Sequence, residues 1–368
     1  MHQPQGPRRS NELFTMTRKA QFLLSTGSGL GAHLCQLQLA FGLCLNLKLE
    51  FDGVYGIGSR TGEVERKLFE PMSLKHPETL ELEHLITIDD SLIDAEAINL
   101  PICNETHVFV FRGWSHCKGL LKTLQEKGLY QSDILSRLDA GKMFKQHVND
   151  TAREAFASQD MASLTETSYD WQNTCVVHLR LGDTIVIQIN SETVIESWKE
   201  TEPNNSLGFS PSASSISSPT RYPLVDLLIN EVESFALLMR LKRSDVRLVM
   251  LTDGLDNGFS RIERAINQKL IEIDNLDYIT AKEKYSAMLC KLSTIFDYCV
   301  IGEGADETLK SIYFLTHAST IIRTHGSFAD RVSSLLRQNK SYRIKTILDK
   351  GSNASVFNGL YSAHRSSS

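Results

Sequence analysis

A histidine, an arginine and an aspartate fall within six positions, at His178, Arg180 and Asp183, with Gly182 between the last two. They follow the apolar run Thr174-Cys175-Val176-Val177. A β-branched run that ends in charge reads as a buried strand delivering polar groups to its C-terminal end, where parallel sheets bind ligands. An arginine there can lay two parallel N–H donors on a phosphate, which a lysine cannot. Asp183 has the chemistry of a general base, or it orients Arg180 or His178. The competing reading is a strand end closed by a structural Arg180–Asp183 pair.

Three other clusters carry usable chemistry. Gly27-Ser28-Gly29-Leu30-Gly31 lets backbone N–H groups approach a ligand where a strand turns into a helix. It does not fit Gly-x-Gly-x-x-Gly, because Ala32 and Leu34 occupy the later positions, although Glu50 and Asp52 lie roughly 20 residues on, where that fingerprint expects an acid. A tight structural turn explains the glycines equally well. Leu251-Thr252-Asp253 is an apolar strand ending in a carboxylate, which either faces a ligand or caps the next helix. Thr324-His325-Gly326-Ser327-Phe328 follows Ile321-Ile322 and precedes a helix, so Ser327 and its neighbouring amides form a candidate anion site. His325 doubles as a helix cap, and the Phe328 side chain reads as core.

In order and spacing these clusters resemble the fucosyltransferases. Gly29-Leu30-Gly31-Ala32-His33 through Ala40-Phe41-Gly42 is similar to the Gly-Leu-Gly-Asn-Gln opening of the α1,2-fucosyltransferases, with Ala32 and His33 at the Asn and Gln. His178-Leu179-Arg180-Leu181-Gly182-Asp183 resembles their phosphate-contacting motif. Where most of them have two adjacent arginines, this chain has Arg180 and Leu181, as some protein O-fucosyltransferases do. The resemblance spans residues 21–49 and 173–336. It implies a GT-B architecture: two Rossmann-like, doubly wound parallel-sheet domains facing a cleft. It implies GDP-fucose as donor, with no cofactor and no metal, and a glycan or protein as acceptor. Arg180 and Asp183 become the catalytic residues; Gly29, Gly31, His33, His178, Arg180, Asp253, Ser327 and Phe328 become the substrate and nucleotide contacts. Two other readings stay open: a non-catalytic nucleotide-sugar binder, motivated by Leu181, Ala32 and His33, and a Rossmann-type enzyme of other chemistry, such as a dehydrogenase.

The elements that must position these groups alternate. A strand at 21–25, a helix over 32–45 with apolar residues at Leu34, Leu37, Phe41 and Cys44, and a strand at 47–51 make a βαβ unit. A strand at 108–111 and a helix over 142–157 follow. From residue 173, strands ending at Arg180, Leu251, Ile301 and Ile322 alternate with helices over 224–241, 260–271, 308–316 and 328–337. This alternation predicts parallel, doubly wound sheets. The division expected is a flexible arm at 1–19, an acceptor-side domain at 20–168, a nucleotide-sugar domain at 169–350 and a tail at 351–368. Residues 202–223, rich in Ser, Pro and Asn, read as a flexible insertion.

Composition narrows the partners. With 368 residues and 41% hydrophobic content the chain can build two cores. A net charge of -5 gives no basic footprint for nucleic acid. The seven cysteines form no Cys-x-x-Cys pair, which argues against a zinc site. Asp89-Asp90 is the nearest approach to a paired-carboxylate metal motif and reads as a turn. The absence of a signal-like segment and of an unbroken apolar span predicts a cytoplasmic protein with no membrane span.

Overall fold

The computed structural model describes residues 19–23, 29–55, 62–72, 85–87, 108–128, 139–157, 170–182, 185–191, 193–197, 224–271, 273–324, 328–336 and 343–346. The arm at 1–18, most of the glycine turn, Asp89-Asp90, Asp183, the 202–223 insertion, His325–Ser327 and the tail lie outside them. The chain is α/β throughout, and it divides into two compact units: residues 1–29 with 35–144, and residues 30–34 with 145–368.

In the first unit the strands are β1 (Lys19–Leu23), β2 (Glu50–Tyr55), β3 (Leu85–Thr87) and β4 (Val108–Arg112). They form one sheet in the order β2-β1-β4-β3, every pair parallel. Helix α1 (Leu30–Leu47) joins β1 to β2, α2 (Gly62–Phe69) follows β2, and α3 (Gly113–Glu126) follows β4. Helix α1 is long and apolar enough, by length and composition, to cross a membrane. Its apolar surface is nevertheless used inside the protein: Leu34, Ala40, Phe41, Leu43 and Cys44 are fully enclosed. A helix apolar on all sides is a core helix when its neighbours cover it.

Sequence periodicity placed the second strand at 47–51, and the structure moves it to 50–55. Lys48 adopts a left-handed conformation (φ 54) and closes α1, its N–H donating to the carbonyls of Cys44 and Leu45. Leu47 and Leu49 are buried at this helix end, so their apolar character belongs to the cap and not to a strand start.

The second unit opens with most of α4 (Asp139–Ala157). Its strands are β5 (Thr174–Leu179), β8 (Arg247–Thr252), β9 (Tyr298–Ile301), β10 (Thr320–Arg323) and β11 (Arg343–Thr346). A short antiparallel ladder, β6 (Val186–Gln188) with β7 (Val194–Glu196), intervenes after β5. The five-stranded sheet runs β11-β10-β5-β8-β9, and every pair is parallel. The first strand of the unit is therefore central, with the next two on one side and the last two on the other. That is the order of a mononucleotide-binding half, and its switch point lies between β5 and β10.

Helices α5 (Val225–Lys242), α6 (Asp256–Asn267) and α7 (Asn275–Ser293) cover one face. There Cys175, Val177, Leu179, Leu248 and Met250 pack with Val232, Phe235, Phe259, Ile262 and Tyr285. Alternate strand residues, Val176, Val249, Leu251 and Ile321, are equally enclosed and point to the other face. Helices α8 (Ala305–His317) and α9 (Phe328–Leu336) lie on that side, where Phe314 packs on Tyr298 at 5.4 Å between ring centroids. Each such enclosed side chain contributes about 1.5–3 kcal/mol, so the sheet is fixed from both faces.

Helices α2, α3 and α7, strands β3 and β11 and the β6–β7 ladder were not read from the sequence. Helix α7 buries only Tyr278, Ala281, Tyr285, Leu289 and Leu292, with charged residues between them, which blurs its apolar stripe. Helix α6 runs four residues ahead of its expected position because Lys269, at φ 55, stops it early.

Candidate functional site at the crest of the five-stranded sheet

Three strands deliver polar groups to one edge. Strand β5 is buried along its whole length, carries His178 as its second-last residue and ends in Leu179, with Arg180 immediately beyond it. Strand β10 runs parallel with His178 opposite Arg323, and Thr324 follows. On the other side of β5, Leu179 is opposite Thr252, and Asp253 follows. The parallel register thus brings residues 146 positions apart to one crest.

Short hydrogen bonds lock the turn that carries Arg180. The Arg180 N–H donates to Thr324 Oγ1 at 3.0 Å. The Thr324 N–H in turn donates to the His178 carbonyl at 3.1 Å. The Leu181 N–H donates to Asp253 Oδ1 at 2.7 Å, and the Gly182 N–H donates to the Gly254 carbonyl at 2.7 Å. Backbone amides that would otherwise be orphaned at the strand end are satisfied by both neighbouring strands. The Arg180 backbone is consequently fixed, and the residue as a whole is half-buried.

Gly182 is required at this turn. Its φ is +41, a conformation that costs other residues about 1–2 kcal/mol. A Cβ there would also overlap the Asp253 carboxylate and come within 2.6 Å of Glu303 Oε1. Glu303, just past β9, has its other oxygen held by Asn257 Nδ2 at 2.7 Å. Two carboxylates therefore crowd one side of Gly182.

Burial raises the Asp253 carboxyl from 3.8 to about 7. The Arg180 charge and the Leu181 N–H bond oppose that rise, and Glu303 adds to it. Asp253 keeps some accessible surface as a residue although its carboxyl is enclosed. Helix α6 begins after Leu255 with no side-chain cap, so Asp253 is not its cap. The Arg180–Asp183 pairing read from the sequence lies outside the described residues; among those described, Arg180 acts on the carboxylate of Asp253.

On the β10 side, His178 lies 5.7 Å from the Phe328 ring, between centroids. Arg323 forms an ion pair with Asp330 at 3.6 Å. The structure thus gathers His178, Arg180, Asp253 and Phe328 at one crest, and adds Thr324, Glu303 and Arg323, which sequence reasoning missed as site residues. Thr324 alone carried a signal, since it opens the turn after Ile321-Ile322. Asp183 and Ser327 fall outside the described residues. Leu181, at the place of a second arginine, is 1% exposed and belongs to the core.

Gly29, Gly31 and His33 stand at the start of α1. Gly29 has an ordinary extended conformation (φ -84, ψ 167) and caps the helix with no side chain. Gly31 is buried, and His33 has no accessible surface. Asp52 is engaged by Gln21 Nε2 at 2.8 Å and by Lys19 Nζ at 3.6 Å, well before the C-terminal end of β2. It is not placed as the ribose-binding acid of a dinucleotide fold.

No family model matches this chain. No curated protein matches it either. Among solved structures, an Arg-to-Lys variant of Arabidopsis thaliana FUT1 in complex with GDP is similar at 10% sequence identity and a TM-score of 0.36, over 91% of this chain and 71% of that one.

Proposed function

We propose that this chain is a glycosyltransferase of GT-B type that binds a nucleoside diphosphate sugar, GDP-fucose, at the β5–β10 crest. The sugar passes to a hydroxyl of a glycan or protein acceptor with inversion. One observation carries the reading: Arg180 stands at a topological switch point, its own N–H held by Thr324 and that of the next residue, Leu181, by Asp253. Switch points are where open parallel sheets take nucleotides. The order of the four sequence clusters, which resembles the fucosyltransferases, supplies the donor class.

In this reading the Arg180 guanidinium forks onto the β-phosphate. Charge grows on the departing GDP as the sugar leaves, and a fixed cation there stabilises the transition state more than the ground state. His178 and Phe328 flank the same anion, and Ser327 is a further proposed contact to it. Asp183 is the proposed base for the acceptor hydroxyl. The reaction needs no divalent metal, because arginine supplies the charge.

A thermal-shift panel tests the donor. GDP should raise the melting temperature more than UDP or NAD, since a ligand at ~100 times its Kd adds about 2.7 kcal/mol. Turnover of GDP-fucose should persist in EDTA. A larger shift with UDP, or loss of turnover restored by manganese, would overturn the assignment.

Leu181 favours a second reading. Its side chain is part of the core, so this chain works with one arginine at the turn. A non-catalytic binder of the same nucleotide sugar fits that change. GDP binding without any GDP-fucose turnover would decide for it.

A further inference from the structure

In the proposed transfer Asp253 only holds the turn that carries Arg180, and Glu303 has no part. Asp253 Oδ1 accepts from the Leu181 N–H at 2.7 Å. Its second oxygen lies against Gly182, as does Glu303 Oε1, while Glu303 Oε2 is occupied by Asn257. Among the described residues the charged groups acting on the Asp253 carboxyl are Arg180, from the turn after β5, and Glu303, from the turn after β9. Asn257, from α6, is neutral, and Arg323, the last residue of β10, is paired with Asp330. Asp253 is therefore bonded to the turn that carries Arg180, and it shares the space at Gly182 with a second carboxylate.

We propose that Asp253 competes with the donor pyrophosphate for the charge of Arg180, so that donor binding draws a proton from solvent onto Asp253. This rests on the reading of Arg180 as the pyrophosphate contact. Geometry sets the direction. Once the guanidinium turns its charge to the pyrophosphate, Asp253 loses its only described cation and keeps Glu303 as a like-charged neighbour. An enclosed carboxylate in that position takes up a proton. Protonation weakens the bond from the Leu181 N–H without breaking it, because Oδ1 still accepts while the proton sits on the second oxygen.

The sign follows from linkage. The donor binds the protonated form better, so affinity is highest in acid and falls as pH rises through the Asp253 titration, which lies at about 7 in the free protein. Loss of a neighbouring opposite charge moves a carboxyl by about one unit or more. A one-unit rise on binding makes the donor about fivefold weaker at pH 8 than at pH 6. Asp253 is thus a positioning residue that makes donor binding pH-dependent.

Isothermal titration with GDP-fucose, whose pyrophosphate diester does not titrate in this range, is the test. It is run at pH 6, 7 and 8 in two buffers of unlike ionisation enthalpy. The full chain should bind about fivefold more weakly at pH 8 than at pH 6, with net proton uptake between. Asp253→Asn keeps an oxygen for the Leu181 N–H and cannot titrate, so its affinity should be flat with no proton uptake. Glu303→Gln should move the midpoint to lower pH. Flat affinity in the unaltered protein, proton release, or an Asp253→Asn variant with the original pH slope overturns the coupling and leaves the donor assignment standing. Absence of GDP-fucose binding at every pH overturns the donor assignment itself, and the coupling with it.

Discussion

The two parallel sheets treat glycine and charge differently at their crests. Between β1 and α1 the sequence is rich in glycine, yet Gly29 is exposed, has an ordinary backbone conformation and has nothing near its absent side chain. After β5 a single inconspicuous glycine, Gly182, sits at positive φ against two carboxylates. Acidic residues diverge in the same way. Asp52 is paired with Lys19 and Gln21 away from the strand end, whereas Asp253 is enclosed at the crest and bonded to the turn itself. A glycine cluster in a motif-like place is therefore no measure of constraint. What matters is whether the backbone must pass a group that leaves no room for a Cβ.

The largest effect expected from breaking this contrast is at Asp253. Its folded carboxyl is raised from 3.8 to about 7. Between those values the native protein keeps a proton that the unfolded chain has lost, so stability falls as pH rises through that window and is level above it. The rise sets a ceiling of about 4 kcal/mol. Asp253→Asn should therefore melt higher than the unaltered protein, by a margin that opens from pH 5 to pH 7 and then holds. A margin independent of pH would show that the carboxyl does not titrate in that window.

Gly182→Ala comes next. The left-handed backbone and the overlap with Asp253 together cost about 3 kcal/mol. For a unit of this size that is about 2–4 °C in Tm per kcal/mol. An unchanged melting temperature would remove the pinch from the argument.

Arg180→Lys is expected to act on chemistry and not on folding. The lysine keeps the charge but loses the planar fork, so turnover should drop about tenfold or more, one factor of ten for each 1.36 kcal/mol. A destabilised variant with full activity per molecule would instead make Arg180 a structural partner of Asp253. At the other crest, Gly29→Ala should change stability by less than about 0.5 kcal/mol, since only a weak cap preference opposes it. A loss as large as that at Gly182 would erase the contrast between the two turns.

Much of this was legible in the sequence because it is local. Short apolar runs rich in β-branched residues, such as Thr174-Cys175-Val176-Val177, read as buried strands, and their alternation with apolar helical stripes points to parallel sheets. The position of Arg180 beyond such a strand, and of Asp253 and Thr324 beyond two others, follows from the same pattern. Strand order was not local. Which strands flank β5 depends on how helices pack on both faces, and no spacing in the chain encodes it. Only the tertiary structure set Thr324 against the Arg180 amide, gave Asp253 to Leu181 instead of to a helix cap, and brought Glu303 beside Gly182. Those bonds join residues between 72 and 144 positions apart. Sequence determines which groups each strand carries to its end; three-dimensional packing determines which of them meet, because hydrogen bonds and desolvation act over a few ångströms, whatever the distance along the chain.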